Sequence, residues 1–95
     1  MRTSEAAGPY RVGITRRALK QLDELPAEDQ RRVRASIAAL ESWPHHAQDV
    51  KKLRDRESET FRLRQGNWRV LFVVWDDTRE IIIGNVYHRS VAYER

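Results

Sequence analysis

The chain has no cysteine. That excludes a disulfide framework, a thiolate metal site and a cysteine nucleophile. No stretch approaches the roughly 20 consecutive apolar residues needed to span a bilayer. The opening MRTSEAAGP lacks the continuous apolar run of a signal peptide, so residues 1–9 are expected to be a flexible leader and the setting to be the cytoplasm, with no membrane partner. Internal repeats, low-complexity tracts and linker-like segments are also missing, which leaves residues 10–95 as one domain. Metal ligands are scarce in useful spacing. His45 and His46 are adjacent rather than four apart on a helix, so no metal and no cofactor are expected.

What is present is charge. Of the 95 residues 34% are charged and 40% hydrophobic, as in a soluble domain with room for one sheet and two or three helices. The net charge of +4 is uneven. Residues 1–50 hold eight basic and seven acidic side chains, and residues 51–95 hold ten and seven, giving +1 and +3. Such an excess in one region is the footprint of a protein that meets phosphate, although a merely solvated surface gives the same number.

Periodicity orders the elements. Tyr10–Ile14 is a short β-run. Ala18, Leu19, Leu22 and Leu25 then form one helical stripe, with Thr15 as the expected N-cap. Pro26 ends that helix and suits the start of the next, where Glu28 and Asp29 face the positive end of the helix dipole. Val33, Ile37 and Leu40 continue a second stripe until Trp43–Pro44. The pair is an antiparallel helical hairpin. Residues 45–58 read as a polar loop anchored by Val50 and Leu53. Thr60–Arg64, Trp68–Trp75 and Arg79–Tyr87 read as three strands joined by Gln65-Gly66-Asn67 and Asp76-Asp77-Thr78. The expected fold is α+β, in the order β-α-α-β-β-β: a helical hairpin packed on one face of a four-stranded, mostly antiparallel sheet.

The sheet's other face must meet water or a ligand. Side chains alternate along a strand, so Phe61 and Leu63 point one way and Arg62 and Arg64 the other. Arg69 follows one tight turn later, and at about 3.3 Å per residue several guanidiniums can converge on the open face. Phe72 and Trp75 are expected in the core, as is Trp68, with base stacking its alternative. Arg79 is read as a solubilising edge residue, and Lys51, Lys52 and Arg56 as a solvated basic loop in which Lys52 can reach an RNA backbone.

The pieces TRRALKQLDELP, IAALESWP, KKLRD, TFRLRQGNWRVLFVV and NVYHRSVAYER, in this order, resemble the RelE/ParE superfamily of toxins from bacterial type II toxin–antitoxin pairs. The resemblance implies a RelE-like fold and an antitoxin encoded beside the gene, with operator DNA met only through that antitoxin. It also implies a choice of activity. RelE-like members cleave mRNA on the ribosome and so stop translation; ParE-like members inhibit DNA gyrase and lack nuclease residues. In the RelE pattern Arg54 matches the basic residue after KL, Arg62 and Arg64 the basic pair of the first meander strand, and Arg69 the arginine after the turn. Arg89 matches the arginine closing the last strand, and Tyr93 the C-terminal tyrosine. Two details depart: the pair is Arg rather than Lys, and Tyr93 lies four residues after Arg89, closer than in the best-known member.

These residue types suit RNA cleavage by a metal-independent endoribonuclease. The 2′-OH must lose a proton, the anionic phosphorane needs positive charge, and the 5′-oxygen must gain a proton. Guanidinium offers a permanently charged, planar fork of donors to phosphate oxygens. The expected roles are Tyr93 as general base, its pKa lowered by neighbouring cations, with Arg69, Arg62 and Arg64 on the phosphorane and Arg89 near the leaving oxygen. Lys52 and Arg54 are the expected RNA-backbone contacts. His88 should face away from Arg89, because strand neighbours point to opposite sides.

Overall fold

The computed structural model describes residues 9–45, 49–53 and 59–91. The expected leader apart from Pro9, and the candidates Arg54 and Tyr93, lie outside the described residues.

The chain runs β1 (Arg11–Ile14), α1 (Arg16–Asp23), α2 (Ala27–Ala38), a 3-10 turn over Ala39–Ser42, then β2 (Asp49–Lys52), β3 (Glu59–Gln65), β4 (Trp68–Trp75) and β5 (Glu80–His88). The strands form one mixed sheet in the order β1-β5-β4-β3-β2. Only β1 is parallel to its neighbour, β5; the other pairings are antiparallel. The α+β architecture and the helical hairpin match the expectation, and the sheet has five strands rather than four. The added strand is β2, inside the segment read as loop. Its Val50 sits opposite Leu63, and its other three residues are exposed, so it shows no alternation until β3 is there to pair with.

The hairpin forms for the reasons expected. Thr15 is extended, and its hydroxyl oxygen accepts the Ala18 N–H at 3.1 Å. Ala18 and Leu22 are fully buried, and Leu25 nearly so, whereas Leu19 on the flank of the stripe is 41% exposed. Glu28 and Asp29 occupy the first turn of α2, whose Val33 and Ile37 join the core with Leu40 from the 3-10 turn. These helical residues meet Leu63, Val70, Phe72, Val74, Ile81, Ile83 and Val86 from one face of the sheet. Trp43 closes one end edge-on against Phe61 and Phe72, with centroids 4.7 and 5.6 Å away. Past the end of β1 the β5 edge would be bare. Gln21 of α1 covers it there by accepting the Val86 N–H through Oε1 at 2.6 Å.

Two side-chain placements differ from the expectation. Trp75 is not core: it ends β4 on the uncovered face and is 47% exposed. Arg79 is not a plain edge residue. It adopts a positive φ of 57°, and its guanidinium carbon stands 5.4 Å from the centroid of the Tyr10 ring. The Tyr10 hydroxyl in turn donates to Asp76 Oδ1 at 2.7 Å, so the β4–β5 turn is tied to the start of β1.

Candidate functional site

The registers of β2, β3, β4 and β5 place the uncovered face in rows. One row runs Asp49, Arg64, Arg69, Tyr87. The next runs Lys51, Arg62, Leu71, Asn85. Adjacent strands are about 4.8 Å apart, so each row is about 14 Å wide, the scale of a short run of nucleotides. Arg89 follows Tyr87 by two residues, just past the end of β5, and its backbone N–H donates to the Asn67 carbonyl at 2.8 Å.

The β3–β4 turn is the scaffold of this arrangement. Gly66 has a φ of 58° and Asn67 does not share the positive φ, the pattern of a type II′ hairpin turn. The Gly66 carbonyl accepts from Arg69 Nη1 at 3.0 Å, and the Trp68 carbonyl accepts from the same nitrogen at 3.0 Å. One turn therefore holds the side chain of Arg69 and the backbone of Arg89. The hairpin itself is tied to the helical layer by the Gln65 amide, which donates to the buried Ser36 hydroxyl.

Arg69 is half-buried between like charges. Burial pushes its pKa down from the usual guanidinium value, and Arg64, Arg62 and Arg89 push it further the same way, opposed by Tyr87. The structure thus brings together four of the five expected catalytic residues. Their mutual repulsion is relieved by an anion, so the face favours a phosphate group electrostatically. Arg64 is partly occupied already, since its Nε donates to Asp49 Oδ2 at 2.8 Å in an ion pair with about 60% of each side chain exposed. Exposed pairs of this kind are worth about 0.2–1 kcal/mol, little enough for a phosphate to displace.

The two lysines exchange places relative to the expectation. Lys52 shares the face of Phe61, opposite to the arginines, and pairs with Glu59 at 3.0 Å. Lys51 is the residue across from Arg62 on the arginine face. The signal that distinguishes them is parity with Val50, which is visible only once residues 49–52 are known to be a strand. Tyr87 is the other site neighbour that sequence reasoning left unassigned. Its alternation with the buried Val86 would have placed it on the open face.

His88 is excluded from this face. It lies across from Trp68 on the helical side, with ring centroids 5.1 Å apart. Its Nδ1 accepts the Ser90 N–H at 3.1 Å and so serves the turn by which the chain leaves β5. Trp68 packs against the core, as expected.

A helical hairpin over one face of a small antiparallel-rich sheet is the architecture of the solved RelE structures that this chain resembles. The chain belongs to the RelE/ParE superfamily of toxins: the family described as "ParE toxin of type II toxin-antitoxin system, parDE" matches residues 12–93. It is 36% identical over 88 residues to the protein of Methanocaldococcus jannaschii named "Putative toxin RelE1", covering 90% of this chain and 96% of that one. Among solved structures it is similar to a chain of the archaeal RelE–RelB complex from Pyrococcus horikoshii, with a TM-score of 0.77, 31% identity, and coverage of 88% of this chain and 99% of that one. It is likewise similar to a chain of the RelBE2 toxin–antitoxin complex of Mycobacterium tuberculosis, with a TM-score of 0.71, 30% identity, and coverage of 85% and 99%.

Proposed function

We propose that this toxin is an endoribonuclease that cleaves mRNA on the ribosome and thereby stops translation. The observation that carries this reading is the position of Arg69, with Arg64, Arg62 and Arg89 around it on the face the helices leave uncovered. In the proposed reaction the 2′-oxygen loses its proton and bonds to the adjacent phosphorus. The bond to the 5′-oxygen breaks, and that oxygen takes up a proton, leaving a cyclic phosphate and a 5′-hydroxyl. Arg69, Arg62 and Arg64 offer donors to the equatorial oxygens as their charge grows. Arg89 stands by the leaving oxygen, and Tyr93 is the base by its match to the superfamily's C-terminal tyrosine. Arg54 and Lys51 extend the basic track along the RNA, and Lys52 supplies charge from the strand's far side. No metal or other cofactor enters the scheme.

The partner is an antitoxin encoded by the neighbouring gene, a reading supported by the RelE–RelB and RelBE2 complexes to which the chain is similar. A bound segment that covers the arginine face would silence it. Contact with operator DNA runs through that antitoxin. Cytoplasmic action follows from the target.

A second reading has one observation in its favour: the matching family is described by ParE. On that reading the protein inhibits DNA gyrase without cleaving anything. Induction of the toxin without its neighbour separates the two. An endoribonuclease arrests protein synthesis first and leaves messages with new 5′ ends. A gyrase inhibitor leaves broken DNA and an SOS response with messages intact, and that result would overturn the nuclease reading.

A further inference from the structure

The arginine row ends in an aromatic ring. Tyr87 is paired directly with Arg69 across β4 and β5, and it is half-buried on the uncovered face. The other described aromatics are elsewhere. Trp68 and His88 lie on the helical side, Phe61 and Phe72 are stacked in or against the core, Trp43 closes the core's end, and Tyr10 is buried beside the β4–β5 turn. Trp75 is on the open face but six residues along β4 from Arg69, roughly 20 Å at strand rise. Among the described residues Tyr87 is therefore the aromatic within the arginine cluster.

Single-stranded RNA needs two kinds of contact in alternation: a cation for the phosphate and a flat surface for the unstacked base. A phosphate resting on Arg69 has its own base displaced by the width of a sugar. The neighbouring strand, about 4.8 Å away, presents Tyr87 at that offset. On the other side of Arg69 stands Arg64, which offers charge and no ring. The strand order thus gives the row a direction: phosphate on Arg64 and Arg69, base towards β5. The ring is carried on a strand whose backbone is held on both edges, by β4 and by Gln21, so its position is set before the RNA arrives.

We propose that Tyr87 is a substrate-contacting residue of this site, whose ring stacks on the base of the nucleotide held through its phosphate by Arg69. This rests on the reading of the arginine face as an RNA-cleaving site and adds the direction in which the RNA crosses it. The role is one of binding and register, with the ring as the working part and the hydroxyl dispensable.

The test uses the purified full chain in two assays, cleavage of ribosome-bound message and binding of a fluorescent single-stranded RNA oligomer by anisotropy. Tyr87→Leu is expected to raise KM and Kd about tenfold, within the range for losing one base-stacking aromatic, with kcat changed less than about threefold. Tyr87→Phe, which restores the ring, is expected to recover most of that loss. A hundredfold fall in kcat for Tyr87→Phe would overturn the proposal and make the hydroxyl a participant in proton transfer. An unchanged KM and Kd for Tyr87→Leu, with its thermal unfolding unaltered, would overturn it outright. Failure of the nuclease reading has a different signature: the wild type cuts no message, while the Tyr87→Leu loss in oligomer binding persists.

Discussion

At Arg69 the guanidinium is held by two backbone carbonyls and crowded by three others of its kind, so its geometry is set and like charge stands around it. The hold depends on the fork of donors, because Nη1 alone serves both carbonyls and leaves Nε and Nη2 for a phosphate. Arg69→Lys keeps the charge, but with two of its three N–H groups given to the carbonyls it has one left for a phosphate where the guanidinium has three. It should therefore lose much of the cleavage that Arg69→Ala loses in single-turnover assays. Asp49 works in the opposite sense by occupying Arg64. Asp49→Asn should strengthen single-stranded RNA binding about two- to fivefold at low salt and less at high salt, as an exposed pair would allow. Tyr10 titrates away from the site. Burial raises its pKa above the ordinary 10.0, and the hydrogen bond and charge of Asp76 raise it further. A raised folded pKa means that its contribution is intact below about pH 10 and is lost as pH climbs through the elevated value. Tyr10→Phe should cost about 1 kcal/mol in denaturant unfolding at neutral pH, and the two proteins should converge in strongly alkaline buffer.

Among the elements, the β3–β4 hairpin has the largest consequence for the smallest change. A side chain at Gly66 would meet nothing within 4 Å, so the positive φ of 58° is the whole objection to one. Gly66→Ala should therefore lower stability by about 1 kcal/mol through backbone strain alone. It should also cut cleavage disproportionately, because the same turn holds Arg69 and Arg89; the comparison of melting temperature with cleavage rate checks this. Much at this scale was legible in the sequence. The helical stripes, the Thr15 cap and the period of two in Phe61-Arg62-Leu63-Arg64 each follow from local chemistry, and the last of these put the arginines on the open face. What was not legible depends on partners distant in sequence. β2 is a polar edge strand that exists through pairing with β3, so Lys51 and Lys52 could not be assigned to faces beforehand. Trp75 is hydrophobic, yet it sits on the parity of Arg69 rather than of Phe72, and counting outward from Arg69 would have revealed this.

Over the whole molecule the helical layer and the charged layer divide the work. The hairpin buries one face and fixes the sheet, and the other face is left free to gather cations whose mutual repulsion the core must hold. The net charge of +4 is modest, so nucleic-acid affinity should come from the cluster and not from a general basic surface. If four cations each meet a phosphate, the logarithm of the single-strand binding constant should fall with the logarithm of salt at a slope near −3. The most direct test is the single-turnover rate of message cleavage by the wild type and by Arg69→Ala, with both shown to be folded. A guanidinium that stabilises the phosphorane predicts a loss of about a hundredfold or more for the variant. A rate within a factor of two of the wild type would contradict the central place given to Arg69.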